Sequence, residues 1–130
     1  MKLLNFRIAL IIAEAGALRI AVAKVLKNQG WLVQAVRRAE QAFQILAHIP
    51  YELIVMDSDL PGMSGIEFAR ILYNSKDWRA IRVLVISSSP SAALVAEPIA
   101  LGAFLATKAE WEENPFRFLR ILNKTLAQEA

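Results

Sequence analysis

Several polar side chains in this chain directly follow short apolar runs. Asp57 comes after a four-residue apolar run and Asp59 lies two residues later, while Glu14, Ser87 and Lys108 follow other apolar runs. Carboxylates in such a set can bind a hard divalent cation, and one of them can attack a phosphoryl group. A lysine and a hydroxyl can hold the phosphoryl oxygens. The residue types therefore indicate cation binding, or phosphoryl transfer to a carboxylate.

The elements that must position these side chains alternate between strand and helix. Apolar runs predict strands over 7–13, 31–36, 53–56, 82–86 and 104–106. Helical spacing and capping residues predict helices over 17–28, 39–47, 64–73 and 91–101, and from 114 onward. Five such units with short connections predict an α/β fold with a parallel, doubly wound sheet. Its strands end at one edge, where open α/β sheets place their ligand sites, and the loops predicted at that edge carry Glu14, Asp57, Ser87 and Thr107-Lys108.

Composition limits the class of protein further. The 130 residues include no cysteine, 56% are hydrophobic and the net charge is +3, which predicts one domain over 1–130 with a core that needs no disulfide. The apolar run 8–13 has some likeness to a secretory signal, but Glu14 and Arg19 interrupt it, which favours a buried strand. The basic residues are scattered, which argues against direct nucleic-acid binding.

The stretch Leu53–Gly65 reads Leu-Ile-Val-Met-Asp-Ser-Asp-Leu-Pro-Gly-Met-Ser-Gly. It resembles the phosphoacceptor signature of the receiver domain of two-component response regulators, and the likeness extends from Arg7 to about Leu122. The resemblance implies a flavodoxin-like, five-stranded parallel sheet in the order 2-1-3-4-5, with helices on both faces. It also implies a cytoplasmic signalling protein that takes part in a phosphorelay.

The resemblance assigns roles to individual residues. Asp57 matches the phosphoacceptor, Ser87 the switch hydroxyl, and Lys108 the lysine that pairs with the phosphoryl group. Glu14 matches the second member of the family's acid pair, which binds Mg²⁺ directly. Asp57 and the backbone carbonyl of Asp59 would complete the protein's Mg²⁺ ligands.

The chain also departs from the family pattern. Ala13 stands where the family has its first acid, so we expect weaker Mg²⁺ binding. Ala109 follows Lys108 where the family usually has a proline joined by a cis peptide. Phe104 is the candidate aromatic switch residue, although the segment before Lys108 is one residue short and Phe104 lacks the hydroxyl of the more usual tyrosine.

The implied partners are proteins. A histidine kinase or phosphotransfer protein would donate the phosphoryl group, and the domain would assist that transfer without being a conventional enzyme. A downstream protein would bind the face made by the fourth helix, fifth strand and fifth helix. Apolar residues there favour a partner surface or a homodimer: Leu94, Val95, Ile99, Leu101 and Phe104. No membrane association is implied.

Two other functions fit parts of the pattern. A pseudo-receiver would keep the scaffold, lose efficient phosphorylation and bind proteins constitutively; Ala13 and the missing proline favour it, whereas Asp57, Ser87 and Lys108 argue against it. A flavodoxin-like protein would bind a flavin or nucleotide. The loop over 13–17 places an acid where such a phosphate would bind, which disfavours that function.

Overall fold

A computed structural model describes residues 7–88 and 103–120. In these residues five parallel strands form one sheet in the order β2-β1-β3-β4-β5. The strands are β1 Ile8–Ile12, β2 Leu32–Val36, β3 Leu53–Asp57, β4 Arg82–Ser87 and β5 Phe104–Thr107. The helices are α1 Gly16–Asn28, α2 Ala39–Leu46, α3 Gly65–Tyr73, α4 Lys108–Glu113 and α5 over residues 115–120. The predicted flavodoxin-like fold is confirmed.

The central strand β3 is buried along its whole length. Ile54 and Met56 belong to a cluster on the side of α2 and α3, whereas Leu53 and Val55 belong to a cluster with residues of α1 and Trp111 of α4. Helices therefore cover both faces of the sheet. An uninterrupted apolar run is what a strand covered on both faces requires, because alternate side chains point to opposite faces.

Several boundaries differ from the sequence prediction at the edge that carries the polar residues. Asp57 is the last residue of β3, and Ser87 is the last residue of β4. The prediction that Thr107 and Lys108 form a loop is wrong, since Thr107 ends β5 and Lys108 begins α4. A capping motif around Thr107 starts this helix, which the sequence analysis did not predict. The helix predicted from 114 onward is the next one, α5, which begins at residue 115 directly after Asn114.

Part of the predicted output face cannot be compared with the structure. The helix predicted over 91–101, with Leu94, Val95, Ile99 and Leu101, lies outside the described residues, as does the predicted continuation of the last helix past residue 120. The dimer and partner surface that these residues favour therefore stays a prediction.

The loop between β3 and α3 brings two backbone segments into close approach. A Cβ added at Gly65 would lie 2.7 Å from the carbonyl oxygen of Asp57 and 3.1 Å from the Cα of Ser58. The Gly65 N–H donates to the Ser58 carbonyl over 2.9 Å. Gly62 has a φ of 77°, which suits the turn that follows Pro61. Glycine at position 65 therefore lets the start of α3 pack directly against Asp57.

We expect Gly65→Ala to lower the free energy of unfolding by about 1–3 kcal/mol, because the methyl group forces α3 and β3 apart. The matched control is Gly16→Ala, where the added Cβ would meet the Arg19 guanidinium at an ordinary contact distance of 3.5 Å. The control should change stability by less than about 1 kcal/mol. Urea unfolding of both variants measures the difference, and equal stabilities would contradict the close-packing argument.

Candidate functional site

Asp57 is a buried acid with two neighbours that suit its charge. The residue is 7% exposed. Its Oδ1 accepts a hydrogen bond from the backbone N–H of Asp59 over 3.0 Å, and its Oδ2 lies 3.9 Å from Lys108 Nζ. A buried carboxylate is costly unless it is paired and hydrogen-bonded. The carboxylate is therefore held at this edge by a backbone amide on one side and a cation on the other.

The backbone around Asp57 is fixed by the start of α3. Ser64 caps this helix, since its Oγ accepts the N–H of Glu67 over 3.1 Å, as the sequence predicted. The Ser58 N–H donates to the carbonyl of Ile86 over 2.9 Å, which ties the loop to β4. The side chain of Asp57 is consequently carried by a strand end and not by a free loop.

Lys108 reaches Asp57 from the first residue of α4. Thr107 Oγ1 accepts the N–H of Glu110 over 3.0 Å, and Glu110 Oε1 accepts the N–H of Thr107 over 2.9 Å. This reciprocal pair is a capping box. Hydrogen bonding of the Glu110 carboxylate to the Thr107 backbone N–H, and to a smaller extent to the Thr107 hydroxyl, lowers the pKa of that carboxyl. The Thr-x-x-Glu spacing in the sequence could have revealed this helix start.

Ser87 lies at the same edge as Asp57 and Lys108. It is 2% exposed and pairs in register with Thr107, while Asp57 pairs with Ile86, one residue earlier in β4. The strand pairing therefore brings together the three residues that the sequence singled out after β3, β4 and β5. Their juxtaposition follows from parallel strands ending at one edge.

Phe104 lies at the far end of β5 from Lys108 and packs on the α1 face of the sheet. It contacts the buried cluster that includes Trp111 and Leu119, whereas its neighbour Leu105 packs against the cluster on the opposite face. The aromatic-switch role of Phe104 stays a prediction.

The loop after β1 carries a buried methyl group and an exposed acid. Ala13 is 1% exposed and follows Ile12, which pairs with Met56, so Ala13 lies beside the end of β3. Glu14 is exposed. The Arg19 guanidinium donates to the carbonyl oxygens of Ala13 and Glu14, over 2.8 and 2.5 Å. Arg19 therefore fixes the backbone of this loop, a contact that no pattern in the sequence signalled.

The donors at this edge suit a magnesium ion in type. Mg²⁺ is usually held by one or two carboxylates and keeps several waters. The carboxylates of Asp57 and Glu14 and the backbone carbonyl of Asp59 are oxygen donors of that kind. Within residues 7–88 and 103–120, however, no three His, Cys, Asp or Glu side chains are grouped to hold a metal ion. A magnesium site here would thus have few protein ligands.

Comparison with known families decides the class of this domain. The profile of the family described as "Response regulator receiver domain" matches residues 9–108, including Asp57, Ser87 and Lys108. The chain belongs to this family. It is 27% identical over 118 residues to the two-component response regulator PhoP of Pseudomonas aeruginosa. That alignment covers 89% of this chain and 52% of PhoP, so the chain spans about half the length of this relative.

Solved structures agree with the fold. The chemotaxis response regulator CheY4 of Vibrio cholerae has a TM-score of 0.80 at 19% identity, over 91% of this chain and 99% of CheY4. The signal receiver domain of a putative Luxo repressor protein from Vibrio parahaemolyticus has a TM-score of 0.84 at 21% identity, over 96% and 95% of the two chains. At such identities the likeness concerns the fold. Family membership makes this receiver domain a signalling domain of two-component systems and not a conventional enzyme.

The structure also bears on membrane association. Within the described segments, none of the helices combines the length and the apolar character that crossing a bilayer would need.

Proposed function

We propose that this receiver domain accepts a phosphoryl group on Asp57 from a histidine kinase or a phosphotransfer protein. The observation that carries the proposal is the buried Asp57 carboxylate with Lys108 Nζ 3.9 Å from Oδ2, at an edge where Ser87 also ends its strand. A carboxylate is a competent nucleophile when it is ionised and correctly placed.

The transfer forms an acyl phosphate. One Asp57 carboxylate oxygen attacks the phosphorus atom, and the bond from phosphorus to the donor breaks, with its electron pair leaving on the donor. Lys108 then balances the charge of the phosphoryl oxygens, and the Ser87 hydroxyl donates a hydrogen bond to one of them. Glu14, Asp57 and the carbonyl of Asp59 would hold Mg²⁺, which neutralises charge on the transferring group when bound.

Phosphorylation would act as a switch because it adds charge beside groups that can reorient. Lys108 begins α4 and Ser87 ends β4, so a new partner for either side chain biases these elements between two arrangements. The output face would include β5 and the helices after it, together with the helix predicted over 91–101. The downstream partner would be a protein that distinguishes the two arrangements.

A pseudo-receiver is the second candidate, and one observation favours it. Ala13, which is 1% exposed, places a methyl group beside the end of β3 where the family has an acid. With few magnesium ligands, phosphoryl transfer would be slow, and the domain would bind its partner regardless of phosphorylation.

Intact mass after incubation with acetyl phosphate and Mg²⁺ tests the primary proposal. We expect one phosphoryl adduct on the chain, none on Asp57→Asn, and little when a chelator removes Mg²⁺. The variant keeps the size of the side chain and removes its charge. A folded chain that gains no adduct, beside a receiver modified in parallel, would contradict the proposal and favour the pseudo-receiver.

Restoring the missing acid should strengthen the metal site. We expect Ala13→Asp to tighten Mg²⁺ binding by about tenfold and to speed phosphorylation by acetyl phosphate. The matched control is Ala15→Asp, which adds the same charge at an exposed position two residues further on. Calorimetric titration with Mg²⁺ measures the effect. Equal Mg²⁺ affinity in the two variants would show that position 13 does not belong to the metal site.

A further inference from the structure

We propose that the capping box formed by Thr107 and Glu110 is the device that positions Lys108 toward Asp57. Thr107 and Glu110 would thus be positioning residues for the phosphoryl site, acting through Lys108. The inference rests on the proposed function for its catalytic consequence, but the positioning itself is a property of the chain without phosphate.

The first observation is the place of Lys108 in α4. Lys108 is the first residue of this helix, so the capping residue Thr107 immediately precedes it. The two hydrogen bonds between Thr107 and Glu110 span Lys108 and Ala109. They therefore fix the backbone on both sides of the Lys108 Cα.

The second observation is the packing that orients α4. Ala106 and Trp111, which are 0% and 3% exposed, belong to one buried cluster. They occupy the positions immediately before the cap and four residues into the helix, which is the arrangement of a hydrophobic staple. The capping box and the staple together determine the residue at which α4 starts and the direction in which the Lys108 side chain points.

The third observation is that the Lys108 side chain also borders a cavity that could accommodate it away from Asp57. A cavity of about 360 Å³ lies between the start of α1 and α4, and its lining includes Leu18, Lys108, Trp111 and Glu112. Glu112 lies four residues after Lys108, at the spacing of an ion pair along a helix. The Lys108 side chain is 40% exposed. A displaced helix start would let the ammonium group leave Asp57 for this cavity.

Amine labelling of the unphosphorylated chain tests the positioning. Labelling of Lys108 by an amine-reactive ester is measured by peptide mass, with exposed Lys24 and Lys27 as internal references. We expect Thr107→Val to raise the Lys108 rate about threefold, and Thr107→Ser to leave it near that of the parent. In Asp57→Asn the Lys108 rate should already be raised, and adding Thr107→Val should change it little, because the two substitutions act on one contact.

A control variant separates loss of a cap from loss of positioning. Gln41 Oε1 accepts the N–H groups of Arg37 and Arg38 over 3.0 and 3.1 Å at the start of α2. Gln41→Ala removes two such bonds at another helix and should leave Lys108 labelling unchanged. An unaltered Lys108 rate in Thr107→Val, or an equal rise in Gln41→Ala, would overturn the proposal.

Phosphorylation rates then test the functional consequence. In the parent chain we expect Thr107→Val to slow adduct formation from acetyl phosphate about fivefold or more. When Thr107→Val is added to Lys108→Ala, we expect the rate of adduct formation to change by less than about twofold. Equal slowing in both backgrounds would mean that Thr107 acts on stability and not through Lys108. A chain that takes no phosphoryl group, yet shows the labelling pattern above, would overturn the proposed function and leave the positioning established.

Discussion

The burial of one carboxylate is the constraint on which the site depends. Asp57 ends the central strand of the sheet at 7% exposure, so its charge must be matched by protein groups and not by bulk water. The amide of Asp59, in the loop after β3, and the ammonium group of Lys108, at the start of α4, provide that match from two different elements. The close approach at Gly65 constrains the backbone at Asp57 and Ser58, and the cap at Thr107 constrains the backbone next to Lys108. Because the partners of Asp57 lie on separate elements, a change in its charge can couple the loop after β3 to the start of α4, as a switch requires.

Much of the fold around Asp57 could be predicted from the sequence, because the strongest sequence patterns lie in the buried strand β3 and at the start of α3. The run Leu53–Met56 is apolar on both faces because β3 is covered on both faces, and the Pro61-Gly62 turn and Ser64 cap identify the start of α3. The start of α4 was not predicted, although Thr107 and Glu110 have the spacing of a capping box. The Asn114-Pro115 pair is the stronger helix-start signal, and it marks the next helix, α5, over residues 115–120. The contact of Arg19 with two backbone carbonyls has no sequence pattern, since it depends on how a long side chain folds over its own loop.

The departures from the family pattern concern charge and backbone control more than the scaffold. Ala13 removes one negative charge beside Asp57, and Glu14, its exposed neighbour, remains as the acid of that loop. Without an acid at position 13, fewer carboxylates compete with Asp57 for the Lys108 ammonium group. A divalent cation also has one carboxylate ligand fewer. Ala109 leaves the backbone after Lys108 without the constraint of a proline, and the capping box supplies a different constraint at the same place. We expect these changes to affect Mg²⁺ affinity and the rate of phosphorylation, whereas the strand order is the one that the family resemblance predicts.

The most direct test of the account is to identify the residue that carries the phosphoryl group. Treatment with acetyl phosphate and Mg²⁺, reduction with borohydride and fragmentation of the resulting peptides would convert an aspartyl phosphate to homoserine at its own position in the sequence. We expect homoserine at position 57, with Asp59 unchanged in the same peptide. Homoserine at position 59, or an adduct that borohydride does not reduce, would contradict the claim that the buried carboxylate at the end of β3 is the acceptor.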